Sequence, residues 1–174
     1  MRILSLNARL AKDAPASAEL PVVLIEINHP ELERPIRLST DRTERLSSDP
    51  LYYGTRSTWR GANPMTDPYL WVVASALLPS DEDDTPASAQ LVLENLDADM
   101  VRLVRSFTDV ATAHIAVVLA DTPNLIEDEY TDLQILSADI DAGQIALSLS
   151  REEIELEYFP GGRMSRDRFP GLFL

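Results

Sequence analysis

Apolar positions along this chain come in short blocks, and most of the blocks have the character of strands. The first block does not: Ile3, Leu4, Leu6, Leu10 and Ala11 share one face at helical spacing, and Pro15 would stop the helix. Val22, Val23, Leu24, Ile25 and Ile27 are mostly β-branched and closed off by Pro30, which predicts a buried strand. Residues 35–39 alternate and predict its antiparallel partner, with HPELER as the turn. Residues 41–68 are rich in turn formers and predict a long loop, of the kind that is functional or packed on itself.

Strands are predicted again over 69–78 and 89–93, with the acidic loop PSDEDDTPAS between them. Asp97 is placed to cap a helix, with Asp99 in its first turn. Met100, Leu103, Val104 and Phe107 form that helix's apolar face. AHIAVVLAD predicts a buried strand, and YTDLQILSADIDAGQIALSLS two long strands turning at 141–143. EIELEYF predicts a last strand, ended by Pro160-Gly161-Gly162. The sum is a mainly β chain with one or two helices (α+β), for which a β-barrel or sandwich is the natural way to bury so many strands. A chain of 174 residues predicts a single domain, here with residues 1–19 as an N-terminal arm and 160–174 as a C-terminal tail.

Charge and composition narrow the function classes. A net charge of -14 disfavours nucleic-acid binding, which needs clustered cations on the surface. The absence of cysteine removes thiol nucleophiles, disulfides and cysteine-ligated metals. No run approaches the ~20 apolar residues of a membrane helix, and Asn7, Arg9 and Lys12 break the first apolar run too early for a signal peptide. Synthesis and folding in the cytoplasm are therefore expected.

Candidate chemistry is sparse. Asp81 to Asp84 and Glu127 to Glu129 lack the ligand spacing of a calcium loop and read as solvated acids. His29 and His114 are far apart in sequence, and no serine sits in a Gly-x-Ser-x-Gly turn. There is no phosphate-binding glycine loop. No enzyme activity, cofactor or metal is expected. The stronger signal is a basic–aromatic segment, Tyr52, Tyr53, Arg56, Trp59 and Arg60, and a matching tail, Arg163, Arg166, Arg168, Phe169, Leu172 and Phe173. Arginine and aromatic residues anchor protein interfaces, and arginines in an acidic chain also serve as internal ion-pair partners. The Phe-Leu tip is expected to be buried, on the domain's own core or on a neighbouring subunit.

Three stretches in order, LIEINHPELERPIRLSTD, ENLDADMVRLVRSF and FPGGRMSRDRFPGLF, resemble a family of proteins encoded in the tail-gene clusters of long-tailed bacteriophages and prophages. The resemblance runs from about Leu20 to Phe173. Members lie between the tape-measure and central-fibre genes, a position similar to that of the minor tail protein L of phage lambda, whose N-terminal part forms the tail-tip hub. The resemblance implies a structural protein of the virion tail tip, a baseplate hub of β-barrel type that forms a ring. A homotrimer is favoured over a hexamer. Its partners would be the distal tail ring, the central fibre and the tape measure protein. The lambda protein also has a cysteine-ligated iron–sulfur region, for which this chain has no residues. The alternatives are the distal tail ring itself and a tail-assembly chaperone absent from the virion.

Overall fold

The computed structural model describes residues 4–15, 17–77, 88–94, 110–141 and 144–150. Among these residues the chain makes one α-helix, α1 (Leu6–Asp13), and ten strands. The strands are β1 (Pro21–Asn28), β2 (Ile36–Ser39), β3 (Arg45–Ser48), β4 (Leu51–Thr55), β5 (Tyr69–Trp71), β6 (Val73–Leu77), β7 (Ser88–Glu94), β8 (Thr112–Leu119), β9 (Thr122–Ile140) and β10 (Gln144–Ser150). All ten belong to one mostly antiparallel sheet in the order β3-β4-β5-β2-β1-β8-β9-β10-β7-β6. The mainly β fold expected from the sequence is thus present, with a curled, barrel-like sheet.

The curl follows from one short stretch. β5 and β6 are separated only by Val72, yet they stand at the third and last places of the strand order. Trp71 pairs with Ser39 of β2, Val73 pairs with Glu94 of β7, and the Val72 N–H donates to the Ser39 carbonyl at 2.9 Å. A flat sheet cannot satisfy both pairings. The sheet bends round until its last edge returns to β2, which reduces the exposed strand edge.

Strand alternation then sorts side chains into two layers. Ile25 and Ile27, Ile36 and Leu38, Ala113 and Ile115, Leu133, Ile145, Leu147 and Leu149, Leu91 and Leu93, and Val72 form one continuous interior cluster. The opposite face of β1 and β8, with Val22, Leu24, Ala116 and Val118, is also buried, because Trp59, Ala62 and Tyr69 pack over it. Burial on both faces explains why these two strands are mostly apolar in the sequence, with Glu26 and His114 as the interruptions.

Several expectations need correction. The predicted loop over 41–68 contains the β3–β4 hairpin, with a cis Asp49–Pro50 bond at its turn, and a 3-10 turn at Trp59–Gly61. Its strands escaped notice because each is only four or five residues long and neither alternates apolar-in with polar-out: Leu51 and Tyr52 are exposed while Gly54 and Thr55 are buried. The predicted strand over 69–78 is two strands broken at Val72. β9 starts at Thr122, well before the predicted start at Tyr130.

Helix α1 is where the spacing put it, capped by the Ser5 side chain, which accepts from the Ala8 N–H at 3.1 Å. Its apolar face points the other way, however, with Ala8 buried and Leu6 and Leu10 exposed. Bonds from the Ser5 N–H and Oγ to the buried Glu127 carboxylate set that orientation. The acidic loop at 81–84, the predicted helix from Asp97, the strand at 153–159 and the tail at 160–174 lie outside the described residues.

Candidate functional site

A cluster of charged side chains lies on the outer face of the curled sheet, beneath the segment 56–68, with Glu26, Arg37 and His114 buried and Arg60 and Asp67 partly exposed. Its floor is set by register. Glu26 of β1 stands directly opposite Arg37 of β2 on one side and His114 of β8 on the other. All three point outward by alternation, and a carboxylate this deep needs partners. The Glu26 side chain is 4% exposed and accepts from Arg37 Nε at 2.9 Å, from Arg60 Nε at 3.3 Å and from Asn28 Nδ2 at 3.0 Å.

The segment above supplies the remaining parts. Arg60 and Gly61 both adopt left-handed backbone (φ 52° and 72°), which turns the Arg60 side chain down into the cluster. Arg37 also pairs with Asp67 and donates from Nη2 to the Arg60 carbonyl at 3.4 Å. Its guanidinium lies 5.9 Å from the Tyr69 ring centroid. Burial works against the charge on Arg37, but the hydrogen bond and charge of Glu26, with Asp67, raise its pKa above the ordinary value. The Tyr69 hydroxyl donates to the Trp59 carbonyl at 3.0 Å, and its pKa is raised by burial and then by the Glu26 charge.

His114 is held in an unusual way. Its Nδ1 accepts from the Asp132 N–H at 3.0 Å, while its Nε2 faces Arg60 Nη2, also at 3.0 Å. An arginine only donates, so both ring nitrogens face donors. A neutral imidazole offers one lone pair, and a protonated one offers none. The added proton is therefore disfavoured, and the His114 pKa is lowered by burial and then by the Arg60 cation, against Asp132, Glu26 and Glu129. Asp132 meets the ring because its own backbone is left-handed (φ 58°), where the β8–β9 register shifts between Ala113 and Ile115.

Trp59 completes the cover. It is 6% exposed, packs against Tyr69 with ring centroids 5.8 Å apart, and donates from Nε1 to Glu129 at 2.8 Å. Ser57 Oγ donates to the Pro123 carbonyl at 2.7 Å, and Thr58 bonds to Asn124, which ties the segment to the start of β9. Chemically, the arrangement is a lock: paired charges and one indole hold segment 56–68 on the wall. His114 faces donors at both nitrogens, so it is not set as a base toward a hydroxyl. Among the described residues no group of three or more His, Cys, Asp or Glu could hold a metal ion.

The sequence-predicted interface residues separate into three groups. Trp59 and Arg60 are used inside the chain, as described. Arg56 pairs with Glu44 and donates to the Leu46 carbonyl at 3.1 Å. Tyr52 is exposed and Tyr53 half-buried on β4, beside exposed Leu51. Arg163, Arg166, Arg168, Phe169, Leu172 and Phe173 lie outside the described residues. The sequence reading did not single out Glu26, Arg37 and Asp67 and gave His114 no partners. The available signal was a charged residue inside the apolar runs VVLIEIN and PIRLS, since a buried charge requires a counter-charge. No known family model matches the chain, and no curated protein matches it.

Proposed function

We propose that this chain is a structural component of the tail tip of a long-tailed bacteriophage, a hub-type barrel linking the distal tail ring to the central fibre. The observation that supports the reading is the barrel-like circuit closed through Val72. Barrel and sandwich were both open from the sequence, and a barrel is the architecture that the resemblance implies for a hub. The buried cluster fits the same role. Its arginines and carboxylates are used to pin a covering segment, which stiffens a wall rather than leaving groups free for chemistry. Tyr52, exposed on the β3–β4 hairpin beside exposed Leu51, is the part of the predicted basic–aromatic interface that a neighbouring tail-tip protein could reach.

The test is the copy number of this chain in purified phage particles, by quantitative mass spectrometry against the major tube protein. Closed cyclic symmetry fixes the count. About three copies per particle are expected for a trimeric hub, and about six would move the chain to the distal ring. A count near zero would overturn the virion reading and leave an assembly chaperone.

A further inference from the structure

His114 can gain a charge inside a cluster whose charges already balance. Two carboxylates, Glu26 and Asp67, face two guanidinium groups, Arg37 and Arg60. The groups around the His114 ring come from three elements: Glu26 from β1, Arg60 from the covering segment, and Glu129 and Asp132 from β9. Glu129 and Asp132 are exposed residues, so water and salt screen them. Arg37, across Glu26 on β2, is already tied to Glu26 and Asp67. A proton on His114 leaves the ring no lone pair for either neighbouring donor. Nε2–H then points at Arg60 Nη2 across 3.0 Å, cation against cation.

The excess charge is relieved most easily by moving one cation into water, and the three candidates differ sharply. His114 is buried within β8, between β1 and β9. Arg37 is 8% exposed and bound to two carboxylates. Arg60 is 34% exposed and holds Glu26 through Nε alone, at 3.3 Å. Its backbone is also the least settled of the three. A φ of 52° is uncommon for a residue with a side chain, and Gly61 beside it, at φ 72°, has nothing within 4 Å of where a Cβ would stand. The turn therefore has both the freedom and the space to release Arg60. Glu26 does not lose a second cation by this, because it stands directly opposite His114 across the β1–β8 pair.

We infer that His114 and Arg60 form an acid-operated latch on segment 56–68: a protonated His114 replaces Arg60 as the second cation at Glu26, and the Arg60 side chain swings out to water. The segment keeps its ties through Asp67, Ser57 and Thr58 and loosens at its centre. Trp59 is next to Arg60 in the chain and covers the outer apolar face of β1 and β8, so the loosening admits water to Val22, Leu24, Ala116 and Val118. Burial and the Arg60 cation lower the His114 pKa. The latch is therefore closed at neutral pH and opens only as pH falls below the ordinary histidine range. It goes beyond the tail-tip reading and does not depend on it.

Two readouts on the full chain test it. Trp71→Phe leaves Trp59 as the only tryptophan, and acrylamide quenching of its fluorescence reports how well it is covered. Proton NMR of the histidine rings in the same background follows His114, assigned by the signal that His114→Gln removes. As pH falls from 8 to 5, the quenching constant is expected to rise about twofold, a local opening, while far-UV circular dichroism stays unchanged. The rise should share its midpoint with the His114 titration, and His114→Gln should keep the high-pH quenching throughout. Arg60→Gln removes the competing cation, so His114 should bind its proton about tenfold more tightly. If His114→Gln is unfolded at pH 8, Arg60→Gln carries the test, because it alters a partly exposed side chain. Quenching that does not follow the His114 titration, or a His114 midpoint that Arg60→Gln leaves in place, overturns the inference.

Discussion

Glu26→Gln is the sharpest probe of the buried cluster. The substitution keeps the shape of the side chain and removes the one carboxylate shared by two arginines. In the folded protein Arg37, with 8% of its side chain exposed, would retain Asp67, but Arg60 would face only a neutral amide and His114. Arg37 keeps Asp67, and Arg60, whose side chain is 34% exposed, keeps access to water, so the loss is that of charged hydrogen bonds at one buried carboxylate, about 1–3 kcal/mol. For a chain of this size that corresponds to a fall of roughly 2–12 °C in the unfolding midpoint. Thermal and urea unfolding followed by circular dichroism would read it. The control is Glu26→Gln combined with Arg37→Gln, which removes both poles of the shorter contact and should recover part of the loss if the two groups are coupled. A single variant within about 0.5 kcal/mol of wild type would refute the claim that this carboxylate holds the cluster together.

Further outcomes follow from the same geometry. The His114 pKa is lowered in the folded chain, so the unfolded chain binds the proton more readily. The stability this contributes is complete above the ordinary histidine range and declines as pH falls through it. Urea titrations at pH 8 and 5.5 should therefore show a smaller loss for His114→Gln than for wild type, and equal losses would refute the arrangement around the ring. Trp59→Ala should cost about 3–5 kcal/mol, while Tyr52→Ala should stay within about 0.5 kcal/mol; comparable costs in urea unfolding would contradict their placement. Gly54→Ala would drive a Cβ into the Tyr69 carbonyl oxygen at a backbone φ of 153°. It should cost about 3 kcal/mol or more where β4 crosses β5, and wild-type stability would refute that close approach.

The internal lock bears on the tail-tip reading. By holding segment 56–68 on the wall through Arg60, Trp59 and Asp67, it fixes the position of the β3–β4 hairpin, which carries the exposed Leu51 and Tyr52.

Local pattern determined much of this protein. The apolar run 22–27 and its alternating partner at 36–39 specified an antiparallel pair, because period and β-branching act within a strand and need no distant partner. The same holds for the helix stopped before Pro15 and for the strands that meet near Asp141. What alternation could not show is that β1 and β8 bury their outer faces as well, which depends on a segment more than thirty residues away. The β3–β4 hairpin was hidden because its strands are short and do not alternate, with Leu51 and Tyr52 exposed and Gly54 and Thr55 buried. The circuit through Val72 was hidden because two pairings of one short stretch, with β2 and with β7, are set by distant strands. The charged cluster lay between these cases. Glu26 inside an apolar strand announces that a counter-charge exists, but only the fold, by placing β2, β8 and segment 56–68 around it, decided that Arg37 and Arg60 supply it and that His114 lies between two donors.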